Sequence, residues 1–310
     1  MTFQAAGADW VRARVAGKVN LGLRVGGVRA DGYHPLATLF QALSLHDEVW
    51  VRPAEPGTFP ITISGDQADL VPADDSNLAV RAARLLAEEH GDPSRLGAEI
   101  HIRKAIPVTG GMAGGSADCA GALLAAAYLW DLDVDADDLA ELGATLGADV
   151  PFALMGQTAL GRGRGDELVP VLSRGTYHWV LAFSEGELST PAVFRRWDEL
   201  NPDAAASAPD VPQGLLEALA SGEAAALAPH LVNDLQAAAV SLRPELEGVL
   251  EAGLEAGAMA GIVSGSGPTC AFLAANEAAA VDVSVRLSGM GVCRAVRRAV
   301  GPVPGARLLG

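Results

Sequence analysis

The sequence predicts two α+β domains, and three observations carry that expectation. The first is length: 310 residues exceed what one hydrophobic core ordinarily serves and suit two. The second is a strand, a Gly-rich turn and a helix in succession. Ala98, Ile100 and Ile102 alternate with Glu99, His101 and Arg103, the period of a half-buried strand that Pro107 ends; an Ala/Leu-rich stretch then runs from Ser116 to Trp130. The third is the mixture of short strands and helices after residue 175. Tyr177 to Phe183 reads as a strand, and Ala260 to Val263, Ser264-Gly-Ser-Gly267 and Thr269 to Leu273 read as strand, tight turn, strand. The split falls at 165–175, giving domains 1–168 and 169–310.

The remaining elements follow from local signals. Strands are expected at Val11 to Leu23, Glu48 to Arg52 and Pro60 to Ser64. Helices are expected at Asn77 to His90, capped by Ser76, and at Ala136 to Leu146, capped by Asp135. Ser116 is the expected N-cap of the Ala-rich helix. The run Gly161-Arg-Gly-Arg-Gly165 reads as a loop near the domain junction. In the second half, helices are expected at Pro244 to Ala256 and Glu277 to Leu287, and a strand at Val292 to Val300.

Composition narrows the function classes. Half the residues are hydrophobic and 19% are charged, an ordinary globular balance. The longest apolar run, Cys119 to Trp130, is short of the roughly 20 residues of a membrane span. The stretch Met1 to Val15 shows no basic start followed by an apolar segment, so no leader is expected there. Cys119, Cys270 and Cys293 are odd in number and form no CxxC pair, which argues against a disulfide framework or a zinc site and for a reducing cytoplasm. No other metal-ligand cluster is legible. A net charge of -16 disfavours nucleic acid as a partner. The basic residues comprise twenty Arg and two Lys, Lys18 and Lys104, and both Lys flank Gly-containing segments.

The Gly-rich turn is the first candidate site. Backbone amides approach phosphate oxygens only where side chains are absent, and a helix N-terminus adds unpaired N–H donors. Gly110, Gly111, Gly114, Gly115 and Ser116 meet both demands. No Lys follows the second Gly pair as a Walker A loop requires, the Rossmann context is missing, and protein-kinase signatures are absent. Asp149, between a predicted helix and Pro151, fits a general base in an apolar setting. By residue context alone it fits a helix-terminal turn as well, just as Lys18 fits a solvated position and His34 a structural histidine.

Three segments in order resemble the motifs of one family. They are Ala16-Gly-Lys18-Val-Asn20-Leu21, the loop from Pro107 to Ala117, and Ser264-Gly-Ser-Gly-Pro-Thr269. Together they resemble the GHMP kinase superfamily. The resemblance implies a two-domain α+β GHMP-kinase fold: an N-terminal ribosomal-protein-S5-like α/β domain, a C-terminal ferredoxin-like α+β domain, and an active site in the cleft between them. Further marks resemble the branch that phosphorylates a CDP-linked methylerythritol in the non-mevalonate isoprenoid route. These are Arg29-Ala-Asp-Gly-Tyr-His34, Lys104-Ala-Ile-Pro107, Gly147-Ala-Asp149-Val-Pro-Phe152, Gly163-Arg-Gly-Asp-Glu-Leu168, Ser189-Thr-Pro-Ala-Val-Phe194 and Val232-Asn-Asp-Leu235.

The resemblance implies ATP, with Mg2+ accompanying it, and CDP-methylerythritol as the second substrate. It implies Lys18 and Asp149 as catalytic residues. Pro107, Val108, Thr109, Gly110, Gly111, Met112, Ala113, Gly114, Gly115, Ser116 and Ala117 would hold the nucleotide. Asn20, Tyr33, His34, Lys104, Thr190 and Phe194 would hold the substrate, with Tyr33 and Phe194 as the two walls of a cytosine sandwich. Four positions depart from the family pattern: Ala16 replaces Pro, Thr109 and Ala113 replace Gly, and Ala117 replaces Ser. Another GHMP kinase, acting on homoserine or mevalonate, is the alternative within the superfamily. A nucleotide-binding protein without turnover is the alternative outside catalysis.

Overall fold

The computed structural model describes residues 10–310, so the first nine positions of the stretch expected to carry no leader lie outside the described residues. β1 (Val11–Val25) and β2 (Leu36–Pro53) form a long antiparallel pair, from Val11 opposite Val51 to Val25 opposite Leu36. β2 reaches well beyond the Glu48-to-Arg52 piece expected from sequence. Its first half is covered on both faces, so apolar residues run on without alternation and the strand period is hidden. β3 (Ile61–Gly65) lies parallel to β4 (Ala98–Lys104), which pairs antiparallel with β2. Between them, α1 (Leu78–His90) is capped by Asn77, whose side chain accepts from the Ala79 amide at 2.9 Å. Ser76, the expected cap, instead donates its hydroxyl to Asp74 at 2.6 Å.

α2 (Gly114–Leu129) is buried nearly all round. Gly121 lets it lie against the sheet, since a Cβ there would sit 2.7 Å from Val49 Cγ2. α3 (Ala136–Leu146) begins, as expected, at Asp135, in a reciprocal capping box with Asp138. α4 (Val150–Met155) leads to the hairpin of β5 (Thr158–Arg162) and β6 (Glu167–Pro170), which extends the first sheet through β2. The Gly161-to-Gly165 run is therefore a hairpin turn inside the first sheet, with Gly163 (φ 67°) and Gly165 (φ 98°) in the left-handed region, and not a junction loop.

The second sheet starts with β7 (Tyr177–Phe183). After it come α5 (Thr190–Leu200), α6 (Gln213–Ser221), α7 (Ala224–Leu227), β8 (Val232–Asn233), α8 (Gln236–Leu242) and α9 (Glu245–Glu255). The chain closes with β9 (Ala260–Val263), β10 (Cys270–Ala274), α10 (Glu277–Met290), β11 (Ala295–Gly301) and β12 (Arg307–Leu309). The order β11-β7-β10-β9, antiparallel throughout, matches the ferredoxin-like expectation. Two short strands leave this half: β8 and β12 both pair with β1. β7 is buried on both faces. Tyr177, Trp179 and Leu181 pack into the core of the first sheet, while Val180 and Ala182 pack into the second. Among the described residues, no helix is long and apolar enough to cross a membrane.

Candidate active site

One cavity of about 640 Å³ is walled by both sheets. At its floor, β1 turns Lys18 and Asn20 to the same face. Lys18 is 6% exposed, donates to Asn20 Oδ1 at 2.8 Å and lies 5.2 Å above the Phe40 ring. Asn20 donates to the Thr38 hydroxyl at 2.7 Å, and Thr38 donates to the Gly22 carbonyl at 3.1 Å. This train fixes the ammonium without a carboxylate in direct contact. Asp149 Oδ2 stands 3.8 Å from Lys18 Nζ. Asp149 occupies the N-cap position of α4 but makes no capping bond, and its side chain is one-third exposed. Val150 and Phe152 behind it are buried, so only part of the expected apolar setting reaches the carboxylate.

The Gly-rich loop forms the adjoining wall. α2 starts at Gly114 with Ala113 in left-handed conformation (φ 59°), so Ser116 lies in the first turn rather than capping it. No side chain caps the helix, leaving first-turn amides for an outside acceptor. Val108, Thr109, Gly110, Gly111, Ala113, Gly114, Gly115 and Ser116 line the cavity. Pro107, Met112 and Ala117 do not: all three are buried, with Met112 and Ala117 in the core. The loop is pinned from three sides. The Lys18 amide donates to the Met112 carbonyl, the Ser264 hydroxyl to the Gly111 carbonyl, and the Val108 amide to Gln67 Oε1. Gly111 (φ 73°) admits no side chain, because a Cβ would meet the Ser264 carbonyl oxygen at 2.0 Å.

Lys104 also borders the cavity, but its ammonium is held by two carboxylates. It bonds Asp47 and, at 2.6 Å, Asp118. Asp47 Oδ1 further accepts the Ala105 and Ile106 amides at 2.6 and 2.9 Å. Burial pushes the Asp118 carboxyl well above its usual range, against the pull of Lys104. Burial alone would lower the Lys104 pKa, yet Asp118 and Asp47 outweigh it and raise it.

The second sheet contributes the far wall. Thr190 at the start of α5 shares a 2.8 Å hydroxyl–hydroxyl bond with Ser266, and Phe194 lines the cavity one turn further on. Asn233 on β8 ties down the Ser264–Gly267 turn by donating to the Val263 and Gly265 carbonyls at 2.7 Å each. His34 is not part of the lining. Its ring packs 4.9 Å from Phe194 and its Nε2 meets Asp198 Oδ1 at 2.8 Å. Tyr33 stands apart, 54% exposed, with the Arg164 guanidinium 5.8 Å from its ring. The structure thus brings Lys18, Asn20, Lys104, Asp149, Thr190, Phe194 and eight loop residues to one cavity, and leaves Tyr33 and His34 outside it.

Comparison with known proteins matches this geometry to one family. A family described as GHMP kinases N terminal domain matches residues 77–157, and one described as GHMP kinases C terminal matches residues 215–293. A protein of Saccharopolyspora erythraea named 4-diphosphocytidyl-2-C-methyl-D-erythritol kinase is 58% identical over 301 residues, covering 96% of this chain and 94% of that one. The chain belongs to the 4-diphosphocytidyl-2-C-methyl-D-erythritol kinase family of GHMP kinases. A relative of the same name from Rhodococcus jostii is 56% identical over 96% of this chain and 95% of that one. A crystal structure of a 4-(cytidine 5'-diphospho)-2C-methyl-D-erythritol kinase superposes with TM-score 0.76 at 35% identity, over 94% of this chain and 99% of that one. Homoserine kinase from Cytophaga hutchinsonii (TM-score 0.74, 20% identity, the whole of both chains) shares the two-domain fold.

Several cavity residues of this kinase family member were not singled out by sequence. Thr38 and Phe40 sit in an apolar run with no signal of their own. Ser266 and Arg164 lie inside quoted motifs, where a Ser and an Arg between glycines had no evident task, and Asn233, in another, ties down the Ser264–Gly267 turn from outside the lining.

Proposed function

We propose that this chain transfers the γ-phosphoryl group of ATP to the 2-hydroxyl of 4-diphosphocytidyl-2-C-methyl-D-erythritol, in the non-mevalonate isoprenoid route. The observation that carries the chemistry is the Lys18–Asp149 pair, 3.8 Å apart in the wall of the cavity that the uncapped N-terminus of α2 also lines. Family membership carries the identity of the acceptor. Asp149 takes the proton of the attacking hydroxyl, and Lys18 offsets charge on the phosphoryl group in transit. The amides of Gly110 to Ser116 hold the ATP phosphates, since a helix N-terminus favours negative charge. Asn20, Thr190 and Phe194 orient the acceptor, with Phe194 as an aromatic wall for cytosine.

Among the described residues no cluster of three His, Cys, Asp or Glu forms a metal cage. Magnesium commonly arrives with few protein ligands and most of its contacts from substrate phosphates and water. Among the oxygen donors that line this cavity, the Ser116 hydroxyl and the Asp149 carboxylate would hold it. Bound there, the ion would neutralise phosphate charge.

The domains are read as 1–168 and 169–310, with β6 of the first sheet running two residues past that boundary to Pro170, and the compartment as the cytoplasm. The three thiols are free, and burial pushes Cys119 and Cys270 up to about 12, which leaves both unreactive. A coupled ADP-release assay with CDP-methylerythritol, homoserine and mevalonate tests the reading. Turnover with CDP-methylerythritol alone is expected. Preference for either of the others overturns the acceptor, and silence with all three overturns the kinase.

A further inference from the structure

The middle of the Gly-rich loop is pinned by Lys18, Ser264 and Gln67, but its two ends are held by a separate device. Thr109 and Ala113 take left-handed φ values within the loop, and α2 begins after it without a side-chain cap. A loop wound in this way keeps its amides aimed into the cavity while the spacing of its ends is fixed. Asp47, Lys104 and Asp118 fix that spacing.

Asp47 on β2 is fully buried and lies outside every motif legible in the sequence. Its Oδ1 accepts the Ala105 and Ile106 amides at 2.6 and 2.9 Å, which holds the chain immediately before Pro107. Its Oδ2 accepts from the Lys104 ammonium. The same ammonium donates at 2.6 Å to Asp118 Oδ2, one turn into α2. Asp118 Oδ1 has no hydrogen-bond partner among the described residues, so the ammonium is the tie that holds this carboxylate. A Cβ on Gly114 would lie 3.3 Å from Lys104 Nζ, so the first residue of α2 rests against the same charge. The triad therefore spans the loop, with the entering strand on Asp47 and the departing helix on Lys104. Buried charges are a poor source of stability, because desolvation offsets much of their attraction. Their directed bonds, in contrast, fix geometry.

We infer that Asp47, acting through Lys104 and Asp118, is a positioning residue that sets the Gly-rich loop for the nucleotide phosphates. This rests on the phosphate-holding role given to that loop above. Lys104 then serves the loop from beneath and does not hold the acceptor.

Calorimetric titration of adenosine and ADP against the full chain tests it, beside the Michaelis constants for ATP and the acceptor. Each variant is measured well below its own melting temperature. Asp47→Asn presents one acceptor oxygen where the carboxylate presents two, so an N–H donor faces either the amides or the ammonium. It is expected to weaken ADP and raise the ATP constant about tenfold, while adenosine affinity and the acceptor constant stay within twofold. Asp118→Ala releases the helix end and should give the same split. Asp118→Asn keeps an acceptor for the ammonium and should recover most of the ADP affinity. If Asp47→Asn does not fold, the two Asp118 variants carry the decision. A lowered melting temperature with ADP affinity unchanged would overturn the inference, because the triad would then only join β2, β4 and α2. So would equal weakening of adenosine and ADP, or an Asp118→Asn variant as weak as Asp118→Ala. A wild-type chain that binds no ADP would overturn the phosphate role of the loop itself, and the inference with it.

Discussion

Asp149 sits at a helix start without capping the helix, and this leaves its carboxylate for the substrate. Asp149→Asn keeps the shape and removes the proton acceptor, so turnover is expected to fall ~10²–10⁴-fold with ATP binding intact. Near-wild-type turnover in the purified variant would defeat the assignment. Lys18 makes a different demand, because its ammonium is bonded to Asn20 and flanked on two sides away from the cavity. A Cβ on Gly265 would lie only 3.5 Å from Lys18 Nζ, and Phe40 covers another side. Lys18→Arg preserves the charge but cannot seat a planar fork there, and a loss of ~10²-fold or more in turnover is expected, close to that of Lys18→Ala. An active Arg variant beside a dead Ala variant would show that charge alone matters. Both residues stand out in the sequence, one by its motif and one by the scarcity of Lys. Lys104 was equally visible, but its partners were not: Asp47 lies 57 residues away, and no local pattern announces a buried ion triad. Thr109 and Ala113 were legible as departures from Gly, and the structure shows what the departures cost. Both take a left-handed backbone that suits Gly (φ 51° and 59°), a strain of about 1–2 kcal/mol each, held by the pinned loop around them.

The elements that depend on short-range signals were the most legible. α3 starts at Asp135, and β7, β9 and α9 fall where their apolar periods put them. Errors arose where a neighbour in space decided the outcome. α1 takes Asn77 as its cap because Ser76 is already bonded to Asp74. α2 starts early because the loop before it is pinned by other elements, and β2 conceals its length beneath cover on both faces. β2 also carries a measurable pH response. His46 lies opposite Ala16 beside a register shift, and burial, followed by the charges of Arg14 and Arg307, lowers its pKa from 6.5 to about 4. A folded-state pKa below the unfolded one means that the contribution is complete above about pH 6.5 and is lost as pH falls toward about 4. The side chain is partly exposed, so screening reduces the effect to about 1–2 kcal/mol. His46→Gln should therefore lose less stability than wild type between pH 7 and pH 4.5, read as the shift in urea midpoint. Identical shifts in the two proteins would show that His46 titrates normally.

At the scale of the molecule, the two halves share more than a cleft. β7 feeds both cores, and β8 and β12 return to the first sheet as strands of two and three residues, too short to show in any sequence pattern. The three family motifs were legible individually, but the contacts that turn them into one cavity were not. One such contact joins the second sheet to the nucleotide wall. Arg294, just before β11, donates to both carboxylate oxygens of Asp66 at 3.0 and 3.2 Å, and its amide is held by the Phe183 carbonyl. Asp66 follows β3 and donates its own amide to the Lys104 carbonyl. The next residue, Gln67, takes a left-handed φ of 54° and accepts the Val108 amide at 3.1 Å. The chain of contacts therefore runs from the second half through a two-point ion pair to the first residue of the phosphate loop that lines the cavity. Cutting it at Arg294 should let the Gln67 turn relax and loosen the loop. A partly exposed pair with bidentate geometry is worth about 1 kcal/mol, so Arg294→Met is expected to raise the Michaelis constant for ATP about two- to fivefold. The constant for the CDP-linked acceptor should hold, because Asn20, Thr190 and Phe194 belong to other elements. Gln67→Ala, which removes the last link while sparing the ion pair, should reproduce the same split. Equal shifts for both substrates in either variant, or an effect of Arg294→Met that Gln67→Ala does not share, would show that the ion pair only joins the two sheets and does not set the loop.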